Sequence, residues 1–399
     1  MLDLTSFAAA LKEHYTDDRV MHMVYKDNPL LALLPKYEDF GGESLRIPLI
    51  YANPQGRSAS FAEAQGNKGS SKLVKFDLVR ARDYSLASID NETIEASKGN
   101  SNAFMEALTM EVDNAIHSAT RALARDVFGS GSGSIGSVAN SALNVTTIQL
   151  NEPEDVVNFE VGMKLVLSAT NGGGTVKAGV LTIVAVDRSN GTVTVDQNIS
   201  TGVATAAQND FIFPIGDYDQ RLAGLSAWIP AAAPSSAAFF GVNRTVDVSR
   251  LAGQRLDVSA KPLEEGLIDG AALVHREGGT LTHYFMNHES YADLEKALGS
   301  KVQYVDQEIA SIAFRGIRLS TTKGFVTVMA DHNCPAGRAF GVHMPTWKLY
   351  SLGKAIKILQ TDGLKMLRES TADAVEVRVG GYRQLGSRAP GYNINLKIR

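Results

Sequence analysis

Glu43-Ser-Leu-Arg-Ile-Pro-Leu-Ile-Tyr51 and Lys72-Leu-Val-Lys-Phe-Asp-Leu-Val79 are two alternating runs separated by a polar tip. Period-two alternation puts Leu45, Ile47, Leu49 and Tyr51 on one face of the first run, and Val74, Phe76 and Leu78 on one face of the second. That is the pattern of two half-buried strands. The tip, Ala52 to Ser71, is rich in Gly, Ser, Ala, Asn and Gln, and is far longer than an ordinary hairpin loop. Pro48 has no N–H for a ladder bond, which predicts an edge strand. A two-stranded ribbon alone is marginal in water. Its apolar face therefore needs a surface, and a neighbouring copy of the same chain is the expected source.

Downstream of the ribbon, Phe104, Leu108, Val112, Ile116, Ala119, Leu123 and Val127 recur at spacings of three and four. They predict one long helix over 101–128, with Ser101 as N-cap and Gly129 as the stop. Glu106, Asp113, Arg121 and Arg125 mark its charged face. The same stripe also fits a core helix of any α/β protein. Upstream, residues 1–40 read as short helical pieces: Phe7, Leu11 and Tyr15 at helical spacing, then the apolar plug Leu30-Leu-Ala-Leu-Leu34. Such an arm has little core of its own and must pack on something else.

Ser130-Gly-Ser-Gly-Ser-Ile-Gly-Ser137 has the composition of a flexible linker. Beyond it the sequence turns all-β, with strands expected at Val145–Leu150, Met163–Ala169, Val180–Asp187, Thr192–Asp196 and Phe211–Ile215. Ser189-Asn-Gly191 supplies a tight hairpin turn. The stretch 137–215 is read as a small β-barrel or sandwich inserted in a surface turn of its host. Mixed α/β sequence resumes at Asp217: a helix over Pro262–Arg276, a strand at Leu281–Met286, and a short helix capped by Asn287. Strands follow at Phe325–Ala330, Ala339–His343, Val375–Tyr382 and Tyr392–Ile398.

Composition excludes several classes. The 399 residues are 44% apolar and 21% charged, with net charge -4; this is ordinary globular composition and not that of a dedicated nucleic-acid binder. The single cysteine, Cys334, excludes an intramolecular disulfide and a Cys-based zinc site. No apolar run reaches membrane-span length, and the N-terminus lacks a secretory pattern. His283 and His288, with Glu289 beside the second, lack the i, i+4 spacing of a helical metal pair. Asp331-His-Asn-Cys334 gathers polar groups but no nucleophile–base partner, and reads as a turn. Gly172-Gly-Gly174 lacks the Lys-Ser/Thr of a phosphate loop. Nothing supports an enzyme, a catalytic residue, a metal or a cofactor. The basic residues are more suggestive: Arg46, Arg57, Lys68, Lys72, Lys75, Arg80 and Arg82 line the ribbon among Glu43, Glu63 and Asp77. They fit either inter-subunit ion pairs or charges that keep an exposed edge soluble.

The order of these parts resembles the major capsid proteins of tailed bacteriophages, with their Hong Kong 97-like fold. Asp219-Gln-Arg-Leu-Ala-Gly-Leu-Ser-Ala-Trp228 is similar to the family's passage into its axial domain. Phe240-Gly-Val-Asn-Arg244 with Leu251-Ala-Gly-Gln-Arg255, and Tyr284-Phe-Met-Asn-His-Glu-Ser-Tyr-Ala-Asp-Leu294, resemble further stretches of the family. So does the closing run Val377-Arg-Val-Gly-Gly-Tyr-Arg-Gln-Leu385, with Pro390 and the 393–398 strand. The resemblance implies an α+β chain with an N-terminal arm (1–40), an E-loop ribbon (41–88) and the spine helix of a peripheral domain (89–130). It further implies an inserted all-β domain (137–215), then an axial domain with the rest of the peripheral domain (216–399).

The function it implies is self-assembly into an icosahedral head enclosing double-stranded DNA, as a virion component assembled in the host cytoplasm. The expected partners are copies of the chain in pentamers and hexamers, a scaffolding protein, a portal and a decoration protein. Contact with packaged DNA is expected to be weak and non-specific, and contact with membrane is not expected. In that frame the seven basic residues are inter-subunit contacts. The stripe Phe104, Leu108, Val112, Ile116, Leu123 and Val127 is spine-helix packing. An encapsulin-like protein nanocompartment shell is the alternative, followed by a phage tail or baseplate protein. Cross-linking through Lys68 or Lys72 lacks an identifiable partner residue.

Overall fold

The computed structural model describes residues 28–91, 101–299, 304–309, 312–360, 367–368 and 372–399. The arm residues Phe7, Leu11 and Tyr15 lie outside the described residues, as do the side chains of Phe104 and Leu108.

The first part of the chain runs α1 (Pro29–Leu33), β1 (Lys36–Tyr37), β2 (Leu45–Ala52), α2 (Phe61–Gly66), β3 (Lys72–Leu78), β4 (Ala81–Asp90) and α3 (Ser101–Phe128). The alternating runs form the expected antiparallel ribbon, with Leu45 opposite Leu78 and Ile47 opposite Phe76. Pro48 faces Lys75 on a strand bonded to β3 alone, so its missing N–H costs no ladder bond. The ribbon is shorter than the expected 41–88. After Leu78 the chain turns, and β4 joins a different sheet. The tip is not all loop, because Phe61-Ala-Glu-Ala-Gln-Gly66 makes a short helix. In α3, Ser101 is itself helical, which corrects its reading as the N-cap.

Residues 136–214 form a separate six-stranded unit: β5 (Gly136–Ser137), β6 (Thr147–Gln149), β7 (Lys164–Ser168), β8 (Leu181–Asp187), β9 (Thr192–Val195) and β10 (Phe211–Pro214). Their order is β5-β10-β7-β8-β9-β6. The two ends meet: Val138 bridges Leu150, Ala139 N–H donates to Gln149 O at 2.8 Å, and Asn151 N–H donates to Ser137 O at 3.0 Å. The sheet is thus a closed barrel, which leaves no open edge. It has its own core, including Ile148, Phe159, Leu165, Ile183, Val193, Val195 and Ile212.

The approach to this barrel corrects the flexible-linker reading of 130–137. Ile135 is buried and Ile135 N–H donates to Ile212 O at 2.9 Å. Gly133 has φ +87, and a Cβ there would lie 2.5 Å from Asp217 O. These glycines serve left-handed backbone and close approach rather than freedom.

The remainder adds α4 (Leu225–Trp228), α5 (Val248–Ala252), β11 (Gln254–Asp257), α6 (Leu263–Arg276), β12 (His283–Met286), α7 (His288–Leu298), β13 (Tyr304–Ile309), β14 (Ile312–Thr321), β15 (Gly324–Ala330), β16 (Arg338–Val342), β17 (Trp347–Ser351), β18 (Lys357–Ile358), β19 (Leu367–Arg368), β20 (Ala374–Ser387) and β21 (Ile394–Lys397). A seven-stranded sheet, β11-β21-β16-β12-β15-β14-β13, carries α6 and α7 over a core that includes Leu267, Val274, Tyr284 and Leu294. Asn287 caps α7 by accepting from Ser290 N–H at 3.0 Å.

The second large sheet is organised on the long strand β20. It pairs with β4 from Ala374 to Arg383 on one side, and with β17, β18 and β19 on the other. Helix α3 packs on this sheet through Val112, Ile116, Ala119, Leu123 and Val127, all buried. Phe128 at its end meets Phe285 and Phe340 of the seven-stranded sheet at 6.3 and 6.1 Å between ring centres. The two sheets therefore share one core. The plug Leu30, Leu31 and Leu34 is buried in the same core. Asp331, on the 331–334 turn, holds α1 by accepting from Leu30 N–H at 3.4 Å.

Candidate assembly surface

The ribbon's two faces have different fates. Ile47, Phe76 and Leu78 are buried in the chain's own core, with Leu45, Leu49, Tyr51 and Val74 packed against it. Phe76 sits 5.0 Å from the Trp228 ring and 6.4 Å from Phe239. Asp77 N–H donates to Phe240 O at 3.0 Å, and Arg250 Nη1 donates to Tyr51 O at 2.5 Å. The expectation that a neighbouring copy supplies this missing core is corrected. Residues 228–240 supply it, because Trp228, Phe239 and Phe240 form an aromatic block beneath the inner face, with ring centres 4.5 to 5.8 Å apart. Trp228 also contacts Trp347 at 6.2 Å, and its Nε1 donates to Leu385 O at 3.1 Å. Arg244 lies 4.0 Å over the Phe239 ring. Burial, with Arg255 nearby, lowers the Arg244 guanidinium to about 10.

The outer face is the surface left open. Ile50 and Leu73 face each other across the strands and are 60% and 61% exposed. At the tip Phe61 is 82% exposed. Such side chains in water are a cost that a partner surface would relieve. Around them Arg46, Arg57, Lys68, Lys72 and Lys75 are exposed, and Arg46 pairs with Asp77 at 3.3 Å. The other two basic residues are placed differently. Arg80 is directed inward, donating to Phe40 O at 2.6 Å with its guanidinium 4.8 Å from the Phe40 ring. Arg82 is exposed on β4, opposite Tyr382. The structure thus brings five of the seven together on the ribbon.

The stripe residues Val112, Ile116, Leu123 and Val127 all face the core. The expected charged face of α3 is partly engaged. Arg121 donates to Glu160 Oε1 at 2.5 Å and Val157 O at 2.6 Å, tying the helix to the barrel.

Sequence reasoning missed an ionic knot where ribbon base, helix, barrel exit and β20 converge. Arg221 lies 2.5 Å from Asp83, 2.6 Å from Asp217 and 3.7 Å from Asp126, and Arg383 pairs with the second oxygen of Asp83. Burial acts to raise the Asp83 carboxyl, but Arg383 and Arg221 outweigh it and hold it below its ordinary value. Asp217 is pushed up, by burial against the pull of Arg221. The only local signal was the i, i+4 pair Asp217/Arg221; the other partners are far away in sequence.

Among the described residues no helix is long and apolar enough to cross a membrane, and no cluster of His, Cys, Asp or Glu could hold a metal ion. His283 is buried in β12 and His288 opens α7. Asp331 accepts from Asn333 N–H at 3.0 Å, while the Cys334 thiol points at Phe285 O, 3.6 Å away. The 331–334 turn is structural.

No family model and no curated relative matches the chain. Solved structures do. The capsid asymmetric unit of cyanophage A-1(L) aligns with TM-score 0.52 at 11% identity, covering 93% of this chain and 92% of that one. The holo-SrpI encapsulin complex of Synechococcus elongatus gives 0.45 at 8% identity, covering 92% and 86%. Mycobacterium phage Ogopogo gives 0.42 at 8%, covering 93% and 92%. The likeness to the cyanophage capsid runs over nearly the whole length of both chains. It shows the α+β Hong Kong 97-like capsid fold.

Proposed function

We propose that this chain, with its capsid fold, is a major capsid protein that self-assembles into an icosahedral phage head around double-stranded DNA. The observation that carries the reading is the near end-to-end likeness to a phage capsid subunit, 93% of one chain on 92% of the other. The exposed outer face of the ribbon is consistent with it. A shell of rings needs heterologous contacts, in which different patches of one chain meet. The open Ile50–Leu73 face and the cationic tip are one such patch, and Arg46, Arg57, Lys68, Lys72 and Lys75 make its ion pairs. Each exposed pair is worth about 1 kcal/mol or less, so the effect comes from repetition over the lattice.

In this reading the barrel decorates the outer surface, and a scaffolding protein and a portal direct closure. The test is expression of the chain with and without its neighbouring genes, followed by negative-stain electron microscopy. Closed angular shells or capsomer rings are expected. A monodisperse monomer in every condition, scaffold included, overturns the proposal.

A further inference from the structure

We propose that the outer edge of β4 docks β4 of a second copy of this chain, the two strands running antiparallel about a two-fold axis at Leu86. The pairing rests on the assembly reading above for its occupant, and it uses a different surface from the ribbon.

β4 is ten residues long and pairs with β20 over its whole length without a bulge. Which backbone groups that ladder uses follows from β20. Tyr382 O and Arg378 O accept from Leu352 and Leu359 N–H on the far side of β20. The even-numbered residues of β20 therefore turn their backbone groups away from β4, and the odd-numbered ones bond it. Their partners are Ala81, Asp83, Ser85, Ala87 and Ile89. That directs the N–H and C=O of Arg82, Tyr84, Leu86 and Ser88 to the other side. Among the described residues no second strand and no loop backbone bonds them there.

An edge of this kind templates another strand unless it is guarded. The edge strands β1 and β11 are short, at two and four residues, and β2 carries Pro48. β4 has no Pro, no Lys and no bulge. Its side chains leave the edge clear as well. Tyr84 leans back across Gly380, where an added Cβ would lie 3.2 Å from its Cδ1, and meets Tyr382 with ring centres 6.2 Å apart. Leu86 is 57% exposed.

The edge is also complementary to itself. Antiparallel pairing centred on Leu86 sets Leu86 against the partner's Leu86, Tyr84 against the partner's Ser88, and Arg82 against the partner's Asp90. Outward backbone groups then meet outward groups in every such pair. Arg82 and Asp90 are exposed, and the two-fold forms their cross-strand ion pair twice. Tyr84 reaches the partner's Leu86 on the diagonal. A slip of two residues sets Arg82 against the partner's Ser88 and loses both ion pairs, so charge fixes the register. The product is one continuous sheet running through two copies.

The test is Leu86→Cys in the full chain, oxidised with glutathione disulfide and read on a non-reducing gel. Directly opposed residues of a bonded pair have Cα atoms about 5.5 Å apart, within disulfide reach, and Cys334 is buried and does not compete. Most chains are expected to run as covalent dimers. Ser88→Cys alone is expected to give few dimers, and its mixture with Tyr84→Cys to restore them. In the Leu86→Cys background, Arg82→Asp is expected to slow dimer formation about tenfold, and Asp90→Arg added to it to restore the rate. Absence of the Leu86→Cys dimer, in assembled or free chain, overturns the pairing, as does an equal yield from Ser88→Cys alone. Shells that form without the cross-link sink this pairing and leave the capsid reading standing. Cross-linked dimers that never build shells do the reverse.

Discussion

Replacing Phe76 by Ala tests whether the ribbon is held by its own subunit. Phe76 is fully buried, with Trp228 and Phe239 at 5.0 and 6.4 Å. Truncating a buried Phe to Ala typically costs ~3–5 kcal/mol. The upper half of that range applies here, since two aromatic neighbours lose their partner and each such pair is worth ~0.5–1.5 kcal/mol. The cost has a ceiling. Once it exceeds the free energy that docks the ribbon on the 228–240 block, the ribbon detaches while the two sheets stay folded. Two signals are therefore expected together in the isolated subunit. The urea midpoint falls, and exchange over 45–52 and 72–78 rises more than over 374–387. Lys75→Ala, on the exposed outer face beside Phe76, is the control and should stay within ~0.5 kcal/mol of the native chain. If Phe76→Ala changes neither midpoint nor ribbon exchange, the inner face is not docked in the free subunit. The original expectation, a core supplied by the next copy, would then be restored.

Deleting 56–70 removes the tip but neither ladder, and should leave a subunit that melts normally but forms no shells by electron microscopy; normal shells would exclude the tip as a lattice contact. Asp83→Asn breaks a buried pair with Arg221 and Arg383 and should cost ~3–5 kcal/mol by urea denaturation. Because Asp83 is held below its ordinary value, its contribution is full above about pH 3.9 and is lost as pH falls through the lower native value. The variant should therefore show less acid destabilisation than the native chain. Gly191→Ala meets φ +64 and puts a Cβ 2.5 Å from Pro153 Cβ. It should loosen the β8–β9 hairpin by ~1–2 kcal/mol or more, seen as faster exchange confined to the barrel.

What the sequence revealed, and what it hid, follow from the range of the interactions. The barrel strands were readable nearly to the residue, because a closed small barrel forces inward positions such as Ile148, Ile183, Val193 and Val195 into strict alternation. The ribbon was readable for the same reason. Its docking was not, since alternation says that Phe76 points inward but not onto what, and Phe239 and Phe240 are remote in sequence. Strand β20 was read only in part, at Val375–Tyr382. It continues to Ser387 through Gly386, whose added Cβ would fall 2.7 Å from Tyr350 and 2.8 Å from Leu78, so a residue with no apolar signal is there to let two layers meet. The 130–137 run shows the same ambiguity. Gly-Ser composition looks alike whether the chain is loose or needs left-handed turns in tight quarters. Of the candidate surface, the five ribbon cations were legible as solvent-facing, whereas Arg80 was not distinguishable from them, because a backbone carbonyl partner leaves no trace in sequence.

The strands that open and close the barrel are neighbours, with Gly136 paired to Ile212 and Ser137 to Phe211. Paired backbones in an antiparallel ladder lie only about 5 Å apart. To the rest of the fold, all of 136–212 is therefore equivalent to a tight bend, and the entropy of closing that long excursion is met inside the barrel's own core. A module joined this way behaves as a cassette. It can be cut out and replaced by a few residues, or exchanged for another domain with adjacent ends, at one fixed address beside the Asp83–Arg221 knot. That makes the barrel the natural graft point for displaying foreign cargo on this chain.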